Sequence, residues 1–429
     1  CIKGGCCQGL FRGPARAGDR SVADRTGDVS FCGQPWIGAD QRPEPAIDEL
    51  WGQQHADQRA GVRFVDIHRE QPVERPRGGA LTTVMIMAGG TGGHVYPALS
   101  VAEHLRDQGI EIVWLGTRKG LEARVVPAAG FQMEWLEIKG LVGSSWMRKA
   151  MMPWMLLRAL IQALRITRRR MPDAVLGMGG FAAGPGGLAA WLLRRPLVIH
   201  EANAVCGVTN RLLAPISKRV LTGFENVRHL GASAKCTGNP VRQEIVRSRV
   251  AEDSINVAQP LRVLVLGGSQ GARSINDLVP AALVESQFNS RLTVTHQCGR
   301  DREDEVNRAY ADVKVPARVV PFIDDMSAAY RQADLVIARS GAMTVTELCA
   351  TGLASILLPF PFAASNHQAA NAQALSSAGA AVVIEASMLD AQRLAKEIDR
   401  LLKDRSLLTK MGHAAHKLAR PDATAKVAG

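Results

Sequence analysis

The chain has 429 residues, 46% hydrophobic and 21% charged, with only 5% aromatic but 41 Gly and 21 Pro. That is enough chain for two or three domains with real cores, and a glycine-looped α/β profile that excludes collagen, coiled coil and a β-sandwich. Eight scattered Cys exclude a disulfide scaffold. The net charge of +12 is uneven: residues 1–80 carry eleven Lys/Arg against eleven Asp/Glu, so the whole excess lies beyond them. A basic body suits an anionic partner, a phosphorylated ligand or an anionic membrane surface.

Residues 1–80 show no sustained helical or strand period and hold Cys1, Cys6, Cys7 and Cys32. They read either as a disordered extension or as sequence translated upstream of a start at Leu81, and they carry no predicted function. No apolar run follows a basic start, so no signal peptide is expected.

From Leu81 the pattern is strand, glycine loop, helix, repeated. Thr82–Met87 is predicted as a strand, followed by the loop 88–94 (Ala-Gly-Gly-Thr-Gly-Gly-His) and a helix over Pro97–Gln108 stopped by Gly109. Strands follow at Glu111–Leu115 and Asp173–Leu176, then the loop 177–187 and a strand at Leu197–His200. Ala174–Leu193 has twenty residues without a charge, the length of a membrane span, but six Gly and Pro185 predict strand, loop and helix instead. The pattern restarts at Arg262: a strand at Val263–Leu266, the loop 267–271 (Gly-Gly-Ser-Gln-Gly), a helix from about Ala272, then strands at Leu292–Gln297, Ala317–Val320, Leu335–Ala338, Ser355–Pro359 and Ala381–Ile384. Short apolar runs alternating with helices predict parallel sheets covered on both faces, here two in tandem joined near Gly238–Arg242.

A glycine loop between strand and helix exposes N–H groups at the positive end of a helix dipole. Four such loops, 88–94, 177–187, 267–271 and 339–344, predict an interdomain cleft facing a phosphorylated ligand. The dinucleotide fingerprint fails in both halves, since Val95 stands where the last Gly belongs and no acidic residue ends the second strand. No P-loop motif is present. Asp324-Asp325 reads as a helix cap, and no His/Cys cluster has metal-ligand spacing.

His94, at the mouth of the expected cleft, suits proton abstraction from a hydroxyl, or else caps its helix or positions a phosphate. His200-Glu201-Ala202-Asn203 follows a strand, as ligand groups or as a buried structural pair. Glu347, one turn inside a helix start, either accepts bonds from two vicinal hydroxyls or complements the dipole. Trp146–Arg170 has seven basic residues and no acid. In it Trp146, Met151, Met152, Trp154, Met155 and Leu156 cluster with Arg148, Lys149 and Arg158. That suits a helix on an anionic membrane surface, while the C-terminal part reads as an ordinary core-facing stripe. Cys206, Cys236, Cys298 and Cys349 read as reduced cysteines of a cytoplasmic protein.

Taken together, residues 81–429 resemble the MurG family, the bacterial glycosyltransferases that convert lipid I to lipid II. The blocks that carry this are 87–94, 177–187, 200–203, 238–242, 267–271, Phe322–Met326, Arg339–Glu347 and Asn366-His367-Gln368 before Asn371. The resemblance implies a GT-B fold, two tandem Rossmann-like α/β domains with parallel sheets and an interdomain cleft. Residues 81–240 would form the acceptor and membrane-facing domain and 241–429 the donor domain, its last helix packing back on the first. It implies metal-free, inverting transfer from UDP-N-acetylglucosamine to the C4 hydroxyl of the muramoyl sugar of lipid I, peripheral to the cytoplasmic face of the inner membrane. No cofactor and no nucleic-acid partner are expected. By motif, Ser269 and the backbone of Ala342, Met343 and Thr344 would hold the diphosphate and Glu347 the ribose, with Val345 and Thr346 also in the donor site. Ile323 would meet uracil through its backbone and Gln368 the donor sugar. Thr91, Gly92, Gly93, Asn203 and Arg242 would complete the donor site, with His94 as candidate base. Trp146–Leu157 matches the family's membrane-facing patch. Two features depart from the family: the sequence Ala-Ala-Ser-Asn at 363–366, where Asp pairs are common, and the 1–80 extension. A GT-B enzyme with another acceptor and a catalytically idle nucleotide-sugar binder are the competing readings.

Overall fold

A computed structural model describes residues 82–137, 152–231, 233–248, 259–268, 272–360 and 366–429. Ser269, Trp146, Arg148, Lys149 and Met151 therefore lie outside the described residues, as do 1–80. The described residues belong to one unit, Pro76–Gly429.

The first sheet has strands β1 (Thr83–Ala88), β2 (Glu111–Thr117), β3 (Gln132–Leu136), β4 (Ala174–Gly179), β5 (Leu197–Glu201), β6 (Arg219–Thr222) and β7 (Lys235–Cys236), in the order β3-β2-β1-β4-β5-β6-β7. The second has β8 (Leu261–Leu266), β9 (Leu292–Gln297), β10 (Ala317–Val320), β11 (Leu335–Ala338), β12 (Ala354–Leu357) and β13 (Ala381–Val383), in the order β10-β9-β8-β11-β12-β13. Every pairing described is parallel. The two sheets repeat one winding order, which reverses direction between β1 and β4 and again between β8 and β11.

Strand alternation sends side chains to opposite layers. Met85 and Met87 pack with Val113 and Leu115 against the helices Met152–Arg170 and Ala183–Leu192, while Ile86 and Ala88 pack with Trp114 against helix Gly92–Asp107. Covered on both faces, β11 and β12 are buried throughout. The last helix, Ala423–Ala428, lies on helix Gly92–Asp107, with Val427 in the first sheet's core.

Five elements differ from the sequence expectation. The first helix starts at Gly92, five residues before Pro97. The glycine loop is itself the first turn: the Thr91 carbonyl accepts from His94 and Val95 N–H, and Pro97 sits inside the helix, where its missing N–H costs one bond. β4 runs on through Gly177 and Gly179, poor strand formers held by pairing with Met87 and Ala88 across a register shift. β3, β6 and β7 have no apolar run long enough to signal a strand; they take their conformation from the neighbours they extend. Ala174–Leu193 resolves into β4 and helix Ala183–Leu192, and among the described residues no helix is long and apolar enough to cross a membrane.

Candidate active site

The four glycine loops follow β1, β4, β8 and β11, the four strands that flank the two reversals of winding. In open α/β sheets this is where crevices form at the strands' carboxyl ends. In the first half the loops after β1 and β4 touch. A Cβ on Gly180 (φ +88°) would stand 2.3 Å from the Gly89 carbonyl oxygen, and one on Gly179 (φ +102°) 2.7 Å from His94 Nδ1. The first loop is held from behind by Glu122, wholly buried, whose carboxylate accepts from Gly90 N–H (2.9 Å), Thr117 N–H (3.0 Å) and the Thr117 hydroxyl (2.7 Å).

Between the halves lies a cleft of about 980 Å³, large enough for a nucleotide sugar. Thr91, Gly92 and Gly93 line it from the first half; Arg242, Ile323, Met343, Thr344, Glu347 and Gln368 line it from the second. Helix Ala342–Thr351 points its N-terminus into the cleft. The Gly341 carbonyl accepts from Val345 N–H, which leaves the N–H groups of Ala342, Met343 and Thr344 without intrahelical acceptors. The Ile323 N–H donates to Gln297 Oε1 (3.2 Å), and Gln368 Oε1 accepts from Phe360 N–H (2.8 Å).

Other expected site residues stand off the wall. Val345 is core, packed with Leu348 and Ala338. The Thr346 hydroxyl donates to the Ala342 carbonyl (2.8 Å) and accepts from Asn239 Nδ2 (2.9 Å). Asn203 bonds Glu201 Oε1 and accepts from Asn371 Nδ2 (3.2 Å). Asn371 also accepts from Ala204 N–H (2.9 Å) and donates to the Ser340 carbonyl (3.1 Å). Thr346 and Asn203 thus sit in the seam joining the halves behind the cleft, their polar groups spent on that joint.

His94 is half-buried, and its Nδ1 is sealed from solvent with no hydrogen-bond partner among the described residues. Burial holds its pKa below the usual 6.5, opposed by the charge of Glu201 and reinforced by His367 from the second half. Neutral imidazole is thus the resting form, the one able to accept a proton. His200 is wholly buried and bonded to the Gly238 carbonyl (3.0 Å), and burial lowers its pKa too. Glu201 collects Asn203 N–H and Nδ2, Gly207 N–H and Asn210 Nδ2. The pair is buried scaffolding under the His94 loop. Glu347 accepts from the Tyr330 hydroxyl (2.8 Å) and faces Arg242 (3.8 Å); burial raises its pKa while both neighbours oppose the rise. Asp325 caps helix Met326–Arg331 by accepting from Ala328 N–H (2.8 Å).

Models of the glycosyltransferase family 28 N-terminal and C-terminal domains match residues 84–222 and 262–427. A UDP-N-acetylglucosamine--N-acetylmuramyl-(pentapeptide) pyrophosphoryl-undecaprenol N-acetylglucosamine transferase of Alkalilimnicola ehrlichii is 52% identical over 80% of this chain and 97% of the relative. Its namesake in Nitrosococcus oceani is 51% identical over 80% and 96%. The Acinetobacter baumannii MurG crystal structure superposes with a TM-score of 0.70 at 38% identity, over 81% of this chain and 98% of that one. The chain belongs to glycosyltransferase family 28, in its MurG group. A kitacinnamycin glycotransferase (TM-score 0.59, 16% identical) shares the fold alone.

Within this family framework, several positions that sequence reading passed over now have work. Glu122 holds the first loop, Tyr330 holds Glu347, Asn239 ties the halves, and Tyr96 lies 5.2 Å beneath the Arg242 guanidinium. Of these, Asn239 carried a sequence signal through the block 238–242, as Asn371 did through its own motif. Among the described residues no group of three or more His, Cys, Asp or Glu is placed to hold a metal ion. Cys206, Cys298 and Cys349 are buried free thiols; burial pushes Cys206 and Cys349 up to about 12.

Helix Met152–Arg170 has two ends of different character. Ala159, Ala163, Ile166 and Thr167 face the core. Trp154 is 66% exposed, and Leu156, Leu157 and Ile161 are exposed with it, while Met152 and Met155 are half-buried. At the far end Arg169 (2.6 Å) and Arg170 (2.7 Å) grip Glu134.

Proposed function

We propose that this chain transfers N-acetylglucosamine from UDP-N-acetylglucosamine to the C4 hydroxyl of the muramoyl sugar of an undecaprenyl-diphosphate-linked acceptor, lipid I, forming lipid II with inversion and without a metal. The observation that carries the reading is the cleft wall that sets an open helix N-terminus at 342–344 one turn from Glu347, opposite the His94 loop. The 50–52% identity to transferases of that name supports the substrate pair.

The chemistry follows from that wall. The N–H groups of Ala342, Met343 and Thr344 at the positive helix end stabilise the diphosphate as charge builds on the leaving group. Glu347 takes the ribose hydroxyls, Gln368 the donor sugar, the Ile323 backbone the uracil, with Arg242 beside Glu347 and the Thr91–Gly93 loop completing the site from the first half. His94 accepts the proton of the C4 hydroxyl; the oxygen attacks the anomeric carbon opposite the diphosphate, whose C–O bond breaks as UDP leaves. Residues 81–240 serve the acceptor and 241–429 the donor.

The test is transfer of labelled N-acetylglucosamine to a lipid I analogue in EDTA, with 1–429 and 81–429 compared. Turnover by 81–429 in EDTA is the expected result. Donor binding without transfer would keep the donor half of the reading and move the acceptor elsewhere.

The exposed Trp154, Leu156 and Leu157, beside Arg148 and Lys149 in sequence, support peripheral docking on an anionic membrane surface, in this reading the cytoplasmic face of the bacterial inner membrane. A Trp154→Ser/Leu157→Ser variant loses roughly ten- to a hundredfold in partitioning to vesicles containing anionic lipid. Transfer to a water-soluble acceptor analogue stays intact. Unchanged partitioning overturns the assignment.

A further inference from the structure

We infer that Tyr330 is a positioning residue for the donor nucleoside: it locks the Glu347 carboxylate in the orientation that accepts a vicinal diol. The inference rests on the reading of Glu347 as the ribose acceptor and adds the device that makes that reading selective.

Tyr330 lies on the short helix Met326–Arg331, with a wholly buried ring packed in the second half's core. Its hydroxyl donates to Glu347 Oε2 at 2.8 Å. A core with room for a phenol has room for phenylalanine, which would leave no polar atom to satisfy; here the hydroxyl is spent on a carboxylate at the wall of the cleft. Burial pushes the phenol's pKa well above its ordinary value, and the neighbouring Glu347 charge adds to this. Tyr330 therefore keeps its proton and stays a donor to Glu347.

A carboxylate has about four acceptor positions on its two oxygens. Tyr330 fills one on Oε2. On the other side Arg242, shared with Glu244 at 3.4 Å, faces Oε1 at 3.8 Å. That distance is an ion pair without a tight hydrogen bond, so Oε1 stays open. One position on Oε2 and those on Oε1 remain for two adjacent hydroxyls. The carboxyl group sits on a side chain that is 12% exposed, where its charged form is disfavoured by burial. The phenol and the guanidinium both favour that charged form. Of the two, only the phenol fixes the angle of the carboxylate plane, because a hydrogen bond is directional and a charge at 3.8 Å is not.

The experiment compares UDP-N-acetylglucosamine with its 2′-deoxyribo and 3′-deoxyribo analogues on wild type and Tyr330→Phe. The substitution should raise the KM for the ribo donor about tenfold, the value of one hydrogen bond to a charged group, with a far smaller effect on kcat. The deoxy analogues lose much less, so discrimination falls by the same factor. In a Glu347→Gln background the tyrosine substitution adds nothing. A purely structural role would not move the pH dependence of donor Kd, measured without acceptor. Losing the hydroxyl removes an influence that lowers the Glu347 pKa, so the acid limb of binding moves to higher pH. Should Tyr330→Phe fail to fold, 3-fluorotyrosine at position 330, which keeps the ring and is a stronger donor, moves the limb to lower pH. If discrimination and limb are unchanged while wild type does select the ribo donor, the role of Tyr330 is overturned and Glu347 keeps its own. If wild type binds all three donors alike, the ribose role of Glu347 falls, and this inference with it.

Discussion

His94→Gln lowers kcat for sugar transfer by about 10²–10⁴-fold, while UDP-N-acetylglucosamine still binds with its wild-type Kd by calorimetry. Glutamine preserves a polar group at the first turn of helix Gly92–Asp107, so the loss isolates proton acceptance from loop geometry. The pH profile separates the two roles that His94 admits. Burial depresses its pKa below 6.5, with the Glu201 charge only partly restoring it. A base of this kind is neutral across pH 7 and above, and kcat falls as pH drops through the depressed value, below 6.5. A His94 that served as a cation for the diphosphate would do the reverse, gaining activity on acidification. Wild-type kcat in His94→Gln, or a profile that rises toward acid, sinks the base assignment.

Gly180→Ala destabilises the protein by roughly 2–5 kcal/mol and abolishes turnover at temperatures where wild type is active. Two costs combine. The φ of +88° is one that alanine resists, and its Cβ would sit 2.3 Å from the carbonyl oxygen of Gly89 in the neighbouring loop. The obstacle is backbone, so no side-chain rotation relieves it. The loops after β1 and β4 must part, and the β1 loop is the one clamped by Glu122 and carrying Thr91, Gly92, Gly93 and His94. Thermal melting monitored by circular dichroism reads the first effect and the transfer assay the second. By contrast Gly268→Ala, at φ +80° with nothing within 4 Å among the described residues, meets the backbone cost without a close approach of that kind. Equal melting points for the two variants would contradict the close-approach argument.

Local pattern carried the architecture. Leu335–Ala338 is a strand at the bounds its apolar run implies, because a strand buried on both faces needs an unbroken apolar run; Leu292–Gln297 and Ala317–Val320 also keep their expected bounds. Asp325 reads as a cap because an N-cap is decided by four consecutive residues. The polar edge strands were illegible for the same reason: β7 has two residues, and pairing with β6 makes them a strand.

The site divides along the same line. That glycine loops follow the strands, that His94 sits beside one of them and that Glu347 lies one turn inside a helix start are properties of short segments, so the chain by itself determined them. Which loops meet, and which residues hold them, are matters of distance between segments far apart in sequence. Asn371 reaches Asn203 across 168 residues, Asn239 reaches Thr346 across 107, and Glu122 holds Gly90 across 32. Those contacts set Asn203 and Thr346 at the seam between the halves and make the core aromatic Tyr330 the partner of Glu347. A buried polar group must find its partner wherever the fold brings one, and only the tertiary structure decides where that is.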